Sequence, residues 1–541
     1  MKMREFLNMA TLIFNAKIYV ERNRFEEAML IDEGVIQALG TNDEMLEKYG
    51  KTATLYDAQH RTIIPGFNDS HLHLMNKGVA LAAVDLAGAN SIEEVIRRAR
   101  RYIEENQIPA GTLVHGMGWN QDYFEDEKRL LTRHDLDRIS TVHPIIFERT
   151  CIHIIACNTL ALERAGVTLE TPVNAGGAID RDERGLTGIL RENACIQVSY
   201  LLQNRSVEEK KSLIRRAIAH ALQYGITSVQ TCDLYPGTWP STHQAFEEVL
   251  SETPVLRVYH QFNGLTPEDV HTFCQAGHRT GSGIAFNRIG PLKVFVDGSL
   301  GARTAALRRP YHDDPSTRGI LTLDREQLDT LLATARQYDC SMIAHAIGDD
   351  AVTTVLDTFE GACEGGANPK RLGVVHVQIT DRELLERFAN MGAVAYVQPI
   401  FLDYDIGIVA DRVGDELAAT SYAFGTLRDK GVHVAFGTDS PVEDMNPFDN
   451  LYCAVTRQRK SGEPEGGFGP QERFDMMQAI DAYTLEGAYC EFEEHRKGRL
   501  MPGYMADLVV LNQDLFTIDA SLIRQTKAVA TMVDGRWVFE R

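Results

Sequence analysis

Long apolar runs are missing from this 541-residue chain: nowhere do about 18 apolar residues follow one another, the length a membrane-spanning helix needs. The N-terminal stretch from Met1 to Val20 mixes charges among its apolar residues and lacks a compact apolar core with a small-residue cleavage site, so no secretory signal is read there. No Lys/Arg block stands out that could offset a formal net charge of -21, which disfavours a phosphate backbone as partner. The nine cysteines include no Cys-x-x-Cys pair, and an odd number cannot all pair within one chain. These absences argue against secreted, membrane-spanning and nucleic-acid-binding proteins. The expectation is a cytoplasmic protein in a reducing compartment; a homodimer is compatible with the sequence. Its 44% hydrophobic and 24% charged residues are ordinary for a globular chain, and its length calls for one large domain and a smaller one.

Both ends read as short strands and turns. Thr11-Leu12-Ile13-Phe14, Ala28-Met29-Leu30-Ile31 and Val35 to Leu39 are apolar runs, the last two separated by Asp32-Glu33-Gly34. The C-terminus repeats the style with Ala506 to Leu511, Ala528 to Val533, the turn Asp534-Gly535 and Trp537-Val538-Phe539. Residues 1–61 and 495–541 are therefore expected to build one small β-sandwich domain. Between them, apolar strands alternate with amphipathic helical segments such as Asp324 to Tyr338 and Asp381 to Met391, the pattern of a parallel sheet with crossover helices. Eight strands can be counted, through Ile63, Ile226-Val229, Leu256-Tyr259, Leu292-Val296, Met342-Ala344, Val374-Val375, Val394-Val397 and Val434-Phe436, the number that closes a (β/α)8 barrel. The fold class is thus α/β, a TIM-like barrel over 62–494. About 125 residues, 80–205, separate the first strand from the second, more than one crossover helix requires, and are expected to form an insertion over the barrel mouth.

Catalytic groups in such barrels sit at the C-terminal ends of the strands. Pro65-Gly66-Phe67-Asn68-Asp69-Ser70-His71-Leu72-His73 places His71 and His73 on one side of an extended segment, with Leu72 turned away, a spacing that suits a divalent metal. Later strands add Lys293, His345, His376 and Asp439, each in or just after an apolar run. Singly, His345 or His376 reads as a hydrogen-bonded core histidine and Asp439 as a cap. Together the six form a ring at one mouth. Lys293 is the oddest member, because a lysine inside a buried strand is expensive unless paired or neutralised. Reaction with carbon dioxide would turn its amine into an anionic carbamate, a two-oxygen ligand that can bridge two cations.

These motifs carry a resemblance. PGFNDSHLH at 65–73, VDGSLGARTAAL at 296–307, AHAIGD at 344–349, GTDSPV at 437–442 and PGYMADLVVL at 502–511 make the chain similar, over essentially its whole length, to the amidohydrolase superfamily, in the branch that includes N-substituted formamide deformylases. The resemblance implies a metal-dependent hydrolase with one or two Zn2+ ions or other divalent metals: His71 and His73 on a first metal with Asp439 beside it, His345 and His376 on a second, and carboxylated Lys293 bridging them. A zinc ion lowers the pKa of a water it holds from about 16 towards about 7. Asp439, the one carboxylate of the ring, is then the group to take that water's proton and pass it to a departing amine. The expected reaction is hydrolysis of a carbon-nitrogen bond, amide or N-formyl.

The sequence departs from the branch pattern near the site. Asp350 stands where an arginine is usual, Val375 where a glutamate is usual, and Cys151-Ile152-His153 where Asp-Gly-His is usual. His153 keeps the family's histidine and is the candidate catalytic donor to the scissile carbonyl. Trp119 is a candidate pocket residue or an anchor of the insertion; Arg303 either orients a substrate carboxylate or closes the loop after the fourth strand. Two alternatives compete with amide hydrolysis: an ester or lactone hydrolase using the same site, and a non-catalytic scaffold.

Overall fold

A computed structural model describes residues 10–149, 154–173, 177–203, 205–363, 365 and 367–541. The chain divides into two compact units, residues 1–76 with 217–541, and residues 77–216. Among the described residues, no helix is long and apolar enough to cross a membrane.

In the first unit, strands from both chain ends share one sheet, in the order Arg536–Glu540, Ala528–Val533, Leu508–Leu511, Thr54–Pro65, Thr11–Glu21, Ala28–Asp32, Val35–Gly40. Its hairpins turn at residues that tolerate positive φ: Glu33-Gly34 (49° and 77°) and Asp534-Gly535 (53° and 72°), as a type I′ turn requires at both central positions. Ile13, Ile18, Met29, Ile31, Ile63, Leu508, Val510 and Met532 lie on its buried face.

The same unit holds a path of eight strands: β1 (Phe67–Leu72), β2 (Ile226–Leu234), β3 (Arg257–Asn263), β4 (Asn287–Phe295), β5 (Met342–Ala346), β6 (Gly373–His376), β7 (Val394–Val397) and β8 (Val434–Phe436). Neighbours along this path pair in parallel, making a nearly closed barrel. The two segments expected to be helical are helices Arg325–Gln337 and Arg382–Met391. Asp324 and Asp381 cap their N-termini through side-chain oxygens, and Gly392 (φ 60°) ends the second in the left-handed conformation.

The first barrel strand is not the run through Ile63. That run belongs to Thr54–Pro65, which pairs in parallel with Thr11–Glu21 and antiparallel with Leu508–Leu511 in the terminal sheet. The chain passes into the barrel at Gly66, where a Cβ would stand 2.3 Å from the Thr227 hydroxyl, so only glycine fits. A buried ion pair joins the same two layers: Arg257 at the start of β3 donates to Asp507 at 2.6 Å, with side-chain exposures of 6% and 5%. Removing one member of such a pair strands a buried charge. Asp507→Ala is therefore expected to lower the unfolding free energy by about 3 kcal/mol, read as a fall in the midpoint of denaturant unfolding with unchanged slope; a loss under about 1 kcal/mol would show that Arg257 finds enough compensation in Asp534.

The second unit carries a six-stranded sheet in the order Gly177–Asp182, Gly185–Glu192, Ile154–Cys157, Ile145–Arg149, Val114–Trp119, Val84–Asp85. Helix Ile92–Glu105, capped by Ser91, packs Ile92, Val95, Ile96 and Ala99 into its core.

Candidate metal centre

The ends of β1, β6 and β8 bring His71, His376 and Asp439 together, each offering one ligand atom within 4.8 Å of the others, and all three are buried. His73 joins from the same strand end: its Nε2 lies 3.3 Å from Asp439 Oδ1, and His71 Nε2 lies 3.5 Å from the same oxygen.

The opposite edge of each ring fixes which nitrogen faces the cluster. His71 Nδ1 meets Gln261 Oε1 at 2.5 Å, while the Gln261 amide donates to the Ser70 carbonyl. His376 Nδ1 meets Gln398 Oε1 at 2.8 Å, and His73 Nδ1 meets the Cys232 carbonyl at 2.9 Å. Carbonyl oxygens only accept, so each Nδ1 carries a proton, and the neutral rings of His71 and His376 present an Nε2 lone pair. Burial, with Lys293 nearby, pushes His71 well below its usual pKa; burial, with His345 nearby, does the same for His376. Both stay neutral at pH 7, the form that ligates metal.

Lys293 on β4 is fully buried, and its Nζ has no hydrogen-bond partner among the described residues. It stands 3.9 Å from the centre of the Phe295 ring. Burial pushes its pKa down, only partly opposed by Cys232 and Asp439. Asp439 shows the opposite balance. Burial raises its pKa, but the neighbouring imidazoles, His73 foremost, outweigh it and hold the carboxyl well below the usual range. Its Oδ1 is a second buried atom without a conventional hydrogen bond. Neutral imidazoles and an ionised carboxylate brought to one point, with a buried amine that lacks a hydrogen-bond partner nearby, are a donor set that fits a divalent cation.

The backbone is strained where these groups leave their strands. His376 has φ 83° and Asp439 has φ 55°, both in the region side-chain-bearing residues avoid. Such conformations cost on the order of 1–3 kcal/mol each and persist where surrounding contacts impose them.

His345 stands differently. Its ring centre is 4.5 Å from that of His376, but its Nε2 lies 3.0 Å from the Gly298 carbonyl and 3.3 Å from Asp297 Oδ1. Asp297 also accepts from the amides of Ala306, Ile347 and Gly348, so it ties the loop after β4 to the loop after β5.

Two expected substrate residues have other partners. Trp119 has no exposed surface: it lies in the core of the second unit with Leu86, Phe124 and Phe147, and its Nε1 donates to the Phe147 carbonyl. It anchors that core and has no face to offer a substrate. Arg303 donates through Nε and Nη2 to the carboxylate of Asp313, the geometry of loop closure. His153 lies outside the described residues.

Sequence reasoning missed the residues that orient the ligands: Gln261, Gln398, the Cys232 carbonyl and, beside His73, the Tyr235 hydroxyl at 3.1 Å. The available signal was polarity inside apolar strands, as in Tyr259-His260-Gln261-Phe262 and Tyr396-Val397-Gln398.

The chain matches the family described as "Amidohydrolase family" over residues 54–539. It is 33% identical over 523 residues to the putative amidohydrolase YtcJ of Bacillus subtilis (strain 168), covering 95% of this chain and 96% of that one. It is 25% identical over 560 residues to the N-substituted formamide deformylase of Arthrobacter pascens, covering 98% of each. Among solved structures, an uncharacterized metal-dependent hydrolase from Pyrococcus horikoshii OT3 superposes with a TM-score of 0.79 at 30% identity, covering 94% of this chain and 99% of that one.

Proposed function

Since the chain belongs to the amidohydrolase family and is a metal-dependent hydrolase, we propose that it cleaves a carbon-nitrogen bond, amide or N-formyl, in a small molecule, with zinc as its metal. The observation that carries this reading is the convergence of His71, His376 and Asp439, with His73 beside them, at one barrel mouth. The relative from Arthrobacter pascens, named for deformylation of N-substituted formamides, supports the choice of bond.

His71, His73, His376 and Asp439 would hold the ion, with Lys293, once carboxylated, supplying an anionic oxygen. The bound cation would act as a Lewis acid, acidifying water and polarising the scissile carbonyl. The chain's own part falls to Asp439, which is ionised and sits beside the imidazole nitrogens of His71 and His73. Its carboxylate accepts a proton from the attacking water and delivers it to the nitrogen as the carbon-nitrogen bond breaks, so that a carboxylic acid and an amine leave. An amine leaving group needs that proton more than an alkoxide does. The shuttle therefore favours amides over esters.

The engagement of His345 with the Gly298 carbonyl favours a single ion. His345→Ala is accordingly expected to keep about one zinc per chain, measured by atomic absorption; loss of a second equivalent relative to the parent protein would establish a two-ion site.

The reading as a whole is tested by offering the zinc-loaded protein panels of N-formyl amines, N-acyl amines, cyclic amides and esters. Turnover confined to esters, or absent with stoichiometric zinc bound, would overturn it.

A further inference from the structure

Every neighbouring pair of barrel strands from β1 through β8 is joined by a backbone ladder except the closing pair, β8 with β1, for which none is found among the described residues. Just beyond β8, two backbone bonds cross the gap: Asp439 donates to the His71 carbonyl and His73 donates to the Ser440 carbonyl, both at 2.8 Å. At the residue before them, a side chain takes the place of the missing backbone acceptor. The Asp69 carboxylate, on β1, accepts the Thr438 amide at Oδ1 (3.0 Å) and the Thr438 hydroxyl at Oδ2 (2.6 Å).

We propose that Asp69 is the clasp of this seam and thereby the positioning residue for Asp439. Asp69 has no exposed surface and receives two further donors, the His71 amide of its own strand at 3.4 Å and the Tyr483 hydroxyl at 3.5 Å. One carboxylate thus gathers donors from β1, from the segment after β8 and from Tyr483, which accepts the Asn68 amide through its carbonyl. The Thr438 hydroxyl, while donating to Asp69, accepts the Ser440 amide at 3.3 Å, closing the turn in which Asp439 sits at φ 55°. That conformation needs contacts on both sides to impose it. The backbone bond to His71 supplies one and the Thr438 clasp the other.

The seam is also too tight for another arrangement. A Cβ at Gly437 would stand 2.7 Å from the His71 nitrogen and 3.1 Å from Asp69 Oδ1, so the strand approaches β1 only because residue 437 is glycine. Asn450 holds the outer side by donating to the Gly437 carbonyl at 2.8 Å. The distance between Asp439 and the imidazoles of His71 and His73 is therefore set across a seam that has a side-chain carboxylate where the other strand pairs have backbone.

This inference rests on the proton-shuttle reading of Asp439, so its test carries one readout independent of activity. Hydrogen-deuterium exchange is followed by mass spectrometry on peptides covering residues 434–442 of the zinc-loaded full chain, for the parent protein, Asp69→Asn, Thr438→Val and Thr438→Ser. Asp69→Asn and Thr438→Val are expected to speed exchange at 438–440 by about tenfold or more, leaving the other barrel strands unchanged. In the same variants kcat should fall by about tenfold while KM and zinc content stay within about twofold. Thr438→Ser, which restores the hydroxyl, should restore both. If Asp69→Asn does not fold, the Thr438 pair carries the comparison alone. Unchanged exchange at 438–440 would overturn the clasp; faster exchange with unchanged kcat, or activity lost only in proportion to zinc, would overturn the positioning role. A parent protein that hydrolyses nothing on the panel would sink the proposed function, and the exchange comparison would still decide the clasp.

Discussion

Asp439→Asn should lower kcat by about 10²-fold or more while leaving zinc bound, the scale of losing a positioned acid-base group. The substitution is nearly isosteric. Asparagine keeps an oxygen towards His71 and His73 and keeps the backbone bond from residue 439 to the His71 carbonyl. What it lacks is the negative charge that accepts a proton. The imidazoles of His71, His73 and His376, each oriented by an acceptor on the far side of its ring, are untouched, so the metal should remain. Because the proton moves only in the transition state, kcat and kcat/KM should fall together with little change in KM. Two results separate this role from others. Parallel loss of zinc would make Asp439 chiefly a ligand, and near-normal kcat with zinc bound would remove the shuttle altogether. On the ester panel the same variant should lose less activity, since an alkoxide leaves with less help from a proton donor.

The sequence makes most of the barrel readable, and the element it misplaces is the one that carries the site. Strands such as Val394–Val397 and Val434–Phe436 are buried apolar runs, which hydrophobicity alone reveals. Phe67–Leu72 is equally buried but reads Phe-Asn-Asp-Ser-His-Leu. Its polar side chains are affordable only because partners far along the chain meet them: Glu491 accepts the Asn68 amide at 2.8 Å, and Thr438 donates twice to Asp69. No local pattern contains that information, so the eye settles on Thr62-Ile63-Ile64, which the structure assigns to the terminal sheet. The same reason hides Gln261, 190 residues from the histidine it orients. His71, His376 and Asp439, which the structure brings together, are visible because their chemistry is conspicuous in or beside an apolar strand. Trp119 was conspicuous for its size, and size is what a core uses.

Lys293→Ala is expected to lose zinc and with it activity by more than about 10²-fold, since even partners that only orient a ligand cost 10–100-fold when removed. The Lys293 Nζ is buried without a hydrogen-bond partner among the described residues, and burial depresses the amine's pKa and destabilises its charged form. A neutral amine is the species that adds to carbon dioxide, forming a nitrogen-carbon bond and releasing one proton, and the resulting carbamate is an anion suited to a cation held by His71, His376 and Asp439. Short carboxylic acids such as acetate should therefore restore part of the lost zinc and activity by placing carboxylate oxygens in the space the side chain vacates. Lys293→Met makes the complementary test. It keeps the apolar stem, removes the buried amine and cannot form a carbamate, so the zinc-free protein should melt no lower than the zinc-free parent, because an apolar group replaces an unpaired buried polar one, while zinc binding is lost. The modification itself is visible by carbon NMR after equilibration with isotopically labelled bicarbonate. A parent protein holding stoichiometric zinc with an unmodified Lys293 amine would defeat the carbamate, and a Lys293→Met variant that still bound zinc and turned over substrate would show that the imidazoles and Asp439 suffice without it.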